Sequence, residues 1–329
     1  MQKQNNTPEE ILKAIKSAQN IVILMDSRFD FDMLSSTLSM EKILYFLDKH
    51  VDIFYEDKLP SIASEMMDIS SIKQSTNYAE IDYKKYDLLM LLDSGGLGHL
   101  TKAGDFVPPS DLTSMVFDHH ETNELYGTLN YVLKNRASTC SVLLELLEGW
   151  NIAVNPAWAN ILLLGILTDT GFLQYSNTTP AELRAVAKMV DTGADLYNLT
   201  WKLTFNVPIE SFKFDALVLK NMNVERECNF AYSFIRQSDI ASIGRKEEIE
   251  ALSGSDVMKR LKDVDFVVFI KENDIPYIWS VSFRAHKIGY DVSVLAKKFG
   301  GGGHKAAAGG KVSASSVEEV VKKIIEALN

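Results

Sequence analysis

The sequence predicts an α/β fold, with a doubly wound, mainly parallel sheet in an N-terminal domain and a smaller α+β domain after it. Three observations predict it. Short, dense apolar runs recur at residues 21–25, 88–92 and 115–117, and runs of that kind read as strands buried on both faces. Each ends abruptly in polar side chains: Asp26, Asp30 and Asp32 after the first, Asp93 after the second, Asp118-His119-His120 after the third. Past about residue 212 the pattern turns to shorter strands mixed with helices. In open α/β sheets ligands bind at the C-terminal strand edge, so the polar triplets mark a candidate site.

Taken in order, Thr7-Pro8-Glu9-Glu10 opens a helix, with Thr7 as N-cap, Pro8 in the first turn and acids against the dipole. A strand at 21–25 and the polar turn 26–32 follow, then an apolar-periodic helix over 33–47. Strand, acid-bearing turn and helix form the repeating unit of a doubly wound sheet. Further strands are expected at 51–55, within 82–92, at 114–118 and at 129–132. Ser138 or Thr139 caps a helix over 142–150, and Asn155-Pro156 starts another that runs through Leu167 to Thr168-Asp169-Thr170-Gly171. The run 161–167 is short enough that strand and helix both fit it. Helices are expected at 180–191, 196–204 and 208–220. Strands at 224–226, 230–234, 264–270 and 278–283, with helices at 290–299 and 315–327, complete the chain. The domains are read as 1–190, a helical linker 191–211, and 212–329.

With 329 residues, 46% hydrophobic, the chain can bury two cores. No apolar run reaches the length of a membrane span, and residues 1–19 lack the basic-then-apolar pattern of a secretory signal. Cys140 and Cys228 lack metal-type spacing and fit buried thiols in a reducing, cytoplasmic setting. The net charge of −10 argues against coating long duplex nucleic acid. Residues 1–211 carry 16 basic against 28 acidic side chains, and residues 212–329 carry 18 against 16. An acidic half able to hold cations thus precedes a mildly basic half able to hold phosphates.

Carboxylates gathered at one sheet edge repel one another unless a cation sits among them. Asp30 and Asp32, two apart in a turn, can converge while Phe31 points away. With Asp93, Asp169 and His119 they supply hard oxygens and one imidazole, a mix that suits Mn²⁺, or Mg²⁺, better than a thiolate-seeking ion. Five ligands exceed what one such ion takes from protein, which favours a pair bridged by a shared carboxylate. Paired ions activate water and neutralise phosphoryl oxygens.

In combination, Asp118-His119-His120, Asp30-Phe31-Asp32, Asp93 and Thr168-Asp169-Thr170-Gly171 resemble the motifs of the DHH phosphoesterases. Tyr175-Ser176-Asn177-Thr178-Thr179 and Arg136-Ala137-Ser138-Thr139 are similar to further segments of the small bacterial members. The resemblance implies that Asp30, Asp93 and one further ligand hold one manganese, and that Asp32, Asp93, His119 and Asp169 hold the second. His120 would lie by the scissile phosphate as charge stabiliser or proton donor, and Asp118 would orient an imidazole. Where the family carries His, this chain has Asp26, which still offers hard oxygen and is counted as a ligand. Phe29 and Phe31 replace the usual Pro and Gly, and an aromatic there could stack on a base.

Gly300-Gly301-Gly302-Gly303-His304-Lys305-Ala306-Ala307-Ala308-Gly309 offers N–H groups to an anion, and its Ala residues suggest close packing or a helix start. Followed by His304 and the Ala-rich tail, it resembles the signature of the DHH-associated domain. Gly301, Gly302, Gly303 and His304 are therefore candidate substrate contacts, and Arg284 is implied to grip the substrate's far phosphate. His50, His99 and His286 lack such settings and read as surface or packing residues.

The resemblance implies a metal-dependent hydrolase that removes nucleotides from very short oligonucleotides such as pApA and dephosphorylates 3′-phosphoadenosine 5′-phosphate, with the substrate in a cleft between domains. A homodimer is compatible with it. Rival expectations are a cyclic dinucleotide phosphodiesterase and, from another class, a non-catalytic nucleotide-binding protein with an altered metal site.

Overall fold

The computed structural model describes residues 4–75, 77–104, 106–205, 207–244, 253–287, 289–303 and 305–328. The chain divides into two compact units, residues 1–206 and 207–329.

The first unit holds six strands: β1 (Asn20–Leu24), β2 (His50–Tyr55), β3 (Ile72–Gln74), β4 (Leu88–Leu92), β5 (Ser114–Asp118) and β6 (Leu129–Val132). Every pairing is parallel, in the order β3-β2-β1-β4-β5-β6. The strand order reverses between β1 and β4, the switch point where such sheets bind ligands. Ile21, Ile23 and Met25 enter one core, while Val22 and Leu24 enter another with Tyr78, Leu100 and Phe106. Both faces of β1 are buried, which is why the strand reads as an unbroken apolar run.

On the first face lie α1 (Pro8–Ser17), α2 (Phe31–Phe46), α4 (Thr139–Gly149) and α5 (Pro156–Asp169). Thr7 caps α1 as expected, closing a capping box with Glu10. The second face is covered among the described residues by segments 77–87, 97–104, 106–112 and 119–128, whose Tyr78, Leu97, Leu112, Leu125 and Tyr126 pack there. A short helix α3 (Ser61–Met66), α6 (Pro180–Asp191) and α7 (Leu196–Thr204) complete the unit.

Helix α5 resolves the ambiguous run at 161–167. Leu162, Leu163, Leu164, Ile166 and Leu167 are all buried, each contributing about 1.5–3 kcal/mol, and an element buried all round loses the amphipathic signature. Gly165 lets α5 close on α2, because a Cβ there would meet Cys140 Sγ at 2.4 Å and Asp32 Oδ1 at 2.5 Å.

The second unit is a mixed sheet ordered β11-β12-β10-β9-β8-β7. Its strands are β7 (Asn223–Glu225), β8 (Phe230–Ile235), β9 (Phe266–Glu272), β10 (Ile278–Ala285), β11 (Gly302–Gly303) and β12 (Ala307–Ser313). Only β8–β9 is parallel. One face packs on Ser293–Lys298 and Val317–Leu328, the other on Ile209–Lys220 and Gln237–Ile243. The Ala-rich tail begins a strand and not a helix. Gly301 lies against that strand so closely that a Cβ would stand 1.9 Å from the Gly309 carbonyl oxygen.

Candidate metal centre

Four chain segments meet at the β1/β4 switch point. Asp30 is the N-cap of α2, its Oδ1 accepting from Met33 N at 2.7 Å. Asp32 therefore stands in the first helical turn, not in the turn expected from sequence, and is fully buried. Asp93 follows β4 with φ 55°, a left-handed conformation that Asp tolerates better than most residues. Asp118 closes β5 with His119 and His120 beyond it, and Asp169 arrives at the end of α5, a helix and not a strand.

His119 Nε2 lies 3.4 Å from Asp93 Oδ1 and 3.3 Å from Asp169 Oδ2, yet it is buried and makes no hydrogen bond. Ligand atoms of Asp32, His119 and Asp169 lie within 4.8 Å of one another, as do those of Asp93, Asp118, His119 and His120. A buried imidazole nitrogen without a partner, ringed by carboxylate oxygens, fits a divalent cation. Neither convergent set includes Asp26 or Asp30. Asp26 instead accepts from Arg28 and Ser94.

The electrostatics describe the same crowding. Burial, then the Asp93 and Asp169 charges, push Asp32 well above the carboxylate range. Burial and Asp93 raise Asp169. Desolvation and the same two neighbours raise Asp30; because this side chain meets solvent, we assign most of its shift to the repulsion. Burial opposes ionisation of Asp93, but His119, His120 and Thr139 outweigh it and hold the group below its usual value. Burial disfavours the His119 imidazolium, yet Asp169 and Asp93 raise it well above an ordinary histidine. His120 moves up against its burial through Asp118.

Ser138 was read as a candidate helix cap, as observed, but the bonds by which this helix start and Asn123 support the site escaped the sequence reading. Ser138 caps α4, so the first N–H groups of that helix point at Asp32: Thr139 N donates to Oδ2 at 2.5 Å and Cys140 N to Oδ1 at 3.1 Å. A helix N-terminus is a ready anion site. Asn123 Nδ2 donates to Asp118 Oδ2 at 2.6 Å, while Asp118 Oδ1 accepts from His120 Nδ1 at 2.6 Å and His119 N at 2.8 Å. His99, read as packing, lies near enough that burial and the Arg28 charge lower its pKa. The spacing of Asn123, five residues after Asp118, was the one local signal available.

In the second unit Arg284 is half-buried on β10 opposite Ala307, with Nη1 donating to the Phe283 carbonyl at 3.0 Å. Gly301, Gly302 and Gly303 are exposed beside β12. His304 lies outside the described residues.

A parallel sheet with acids and imidazoles at its switch point, followed by a mixed-sheet unit with a glycine-rich edge, defines a phosphoesterase of the DHH type. Residues 20–166 match the DHH family N-terminal domain and residues 229–329 the DHHA1 domain; the chain belongs to the DHH family and is a phosphoesterase hydrolase. Enzymes of this family depend on metal. The chain is 28% identical over 211 residues to the bifunctional oligoribonuclease and PAP phosphatase NrnA of Thermus thermophilus, covering 64% of this chain and 62% of that protein. It is 23% identical over 309 residues to the NrnA of Bacillus subtilis, covering 90% of each. An exopolyphosphatase-related protein from Bacteroides fragilis shares the fold at TM-score 0.88 and 22% identity, over 98% of this chain and 95% of that one. Among the described residues no helix is long and apolar enough to cross a membrane.

Proposed function

We propose that this protein hydrolyses very short oligonucleotides of the pApA type, and 3′-phosphoadenosine 5′-phosphate, using Mn²⁺ with Mg²⁺ as the alternative. The observation that carries the reading is the unpartnered, buried His119 Nε2 set between Asp93 and Asp169 beside Asp32. The names of the Thermus and Bacillus relatives supply the substrate class.

Asp32, Asp93, His119 and Asp169 are the residues that would hold the cation, and His119 is the one common to both convergent sets; that paired ions would share Asp93 is what the family resemblance implies. A metal held there would supply water activation and charge neutralisation at the phosphoryl oxygens. His120 commits Nδ1 to Asp118, so a proton passes between His120 and substrate through Nε2. Against its burial, contact with Asp118 raises the pKa of this ring, which favours the protonated form. Asp118, itself held by Asn123, fixes that ring. Arg284 and the Gly301–Gly303 backbone would hold a second phosphate.

The test is a panel of dinucleotides, longer oligomers, 3′-phosphoadenosine 5′-phosphate and cyclic dinucleotides, each with Mn²⁺, Mg²⁺ or chelator. Rapid, chelator-sensitive cleavage of linear dinucleotides is expected. Preferred cleavage of cyclic substrates, or binding without turnover, rejects the proposal.

A further inference from the structure

Asp26 stands where the resemblance places a family histidine, and its surroundings here are unlike those of an open metal ligand. The residue is 2% exposed. Its Oδ1 accepts from Arg28 N at 2.9 Å and Arg28 Nε at 3.2 Å. Its Oδ2 accepts from Arg28 Nη2 at 3.3 Å and Ser94 Oγ at 3.0 Å. A carboxylate has about four lone-pair sites, and four donors already engage this one. The planar guanidinium also neutralises its charge with a two-pronged grip that an ammonium cannot reproduce. Asp30 spends Oδ1 on capping α2. By contrast, the His119 nitrogen lies 3.3–3.4 Å from Asp169 and Asp93 without a hydrogen bond to either.

We propose that this chain holds one divalent cation tightly, at Asp32, Asp93, His119 and Asp169, and that the Arg28 guanidinium stands in for the second cation that family resemblance would place by Asp26 and Asp30. The inference rests on the functional reading above and changes its stoichiometry. Arg28 is local to this site in sequence, two residues from its partner, and its side chain is 63% exposed, so it can be replaced without opening a core.

The experiment titrates the metal-free full chain with Mn²⁺ and follows free Mn²⁺ by its electron paramagnetic resonance signal. The parent should take up one tight equivalent and a second at least about tenfold weaker, the scale expected when a positive charge already occupies the second position. Arg28→Gln should strengthen the second by about tenfold and leave the first within about twofold. Arg28→Lys, which keeps the charge and loses the fork, should fall between. His119→Ala should abolish the tight equivalent. Two equal equivalents in the parent, or an unaltered second site in Arg28→Gln, overturn the inference and leave the functional reading standing. Uptake of Mn²⁺ that ignores His119→Ala, or no uptake by the parent, removes that reading and the inference with it.

Discussion

Thr139 Oγ1 donates to Asp93 Oδ1 at 2.9 Å, across 46 residues of chain, while the same threonine's N–H binds Asp32. One residue therefore orients two of the carboxylates proposed to hold the cation. Hydrogen bonds to metal ligands are worth about 10- to 100-fold in affinity. Thr139→Val should weaken Mn²⁺ binding by about that factor, and Thr139→Ser should restore most of it. Calorimetric titration decides; a Val variant with parental affinity refutes the role.

Asp93→Asn should reduce cleavage to background with the fold intact. Asparagine tolerates the left-handed backbone of this position and can keep the Thr139 bond, so only the charge is lost. Turnover at the parental rate would show that Asp93 is not the central ligand.

The metal-free protein should lose stability as pH rises. Asp30, Asp32 and Asp169 lie above the usual carboxylate range and His119 above the usual imidazole value, so the fold retains protons that the unfolded chain has released. Stability is greatest below the unfolded pKa values and declines as pH climbs through the raised ones. Asp93, held low, works oppositely, its contribution fading as pH falls through its depressed value. Thermal melts in chelator should drop by several degrees from acid to neutral pH, each 1 kcal/mol being about 2–4 °C in a unit of this size. Mn²⁺ should reverse the slope; a melt in chelator that rises across that range contradicts it.

Gly165→Ala should destabilise the protein by about 1–3 kcal/mol, the usual penalty for overfilling a core. It should also weaken Mn²⁺ binding, because the new methyl presses on Asp32. Urea unfolding and a metal titration read the two effects separately, and neutrality in both rejects the packing argument.

Arg284→Ala should raise KM about tenfold and spare kcat, the pattern of a lost ground-state contact. Steady-state kinetics on a dinucleotide test it. A fall in kcat at constant KM would assign Arg284 to the chemistry instead.

Much of this was legible because the sheet is regular. Buried parallel strands announce themselves as apolar runs, and Asp93, Asp118 and His119 follow theirs directly. Asp169 was legible as a residue but not as a helix terminus, since α5 is apolar on every side. The short elements Ser61–Met66 and Ile72–Gln74 carry too few buried side chains for any periodicity to show. Thr139 and Ser94 were invisible as supports because their partners come from other segments of the chain. Arg28 lies beside Asp26 in sequence, but nothing in a sequence says whether an exposed arginine folds back on its neighbour.

Asp169 sits on the last residue of α5, and α5 is also the helix that covers Asp32. A nascent chain still missing residues 156–169 has strands, α2 and α4, yet lacks both that carboxylate and the apolar lid over the other. The proposed cation-holding set is therefore complete only once α5 has packed onto α2.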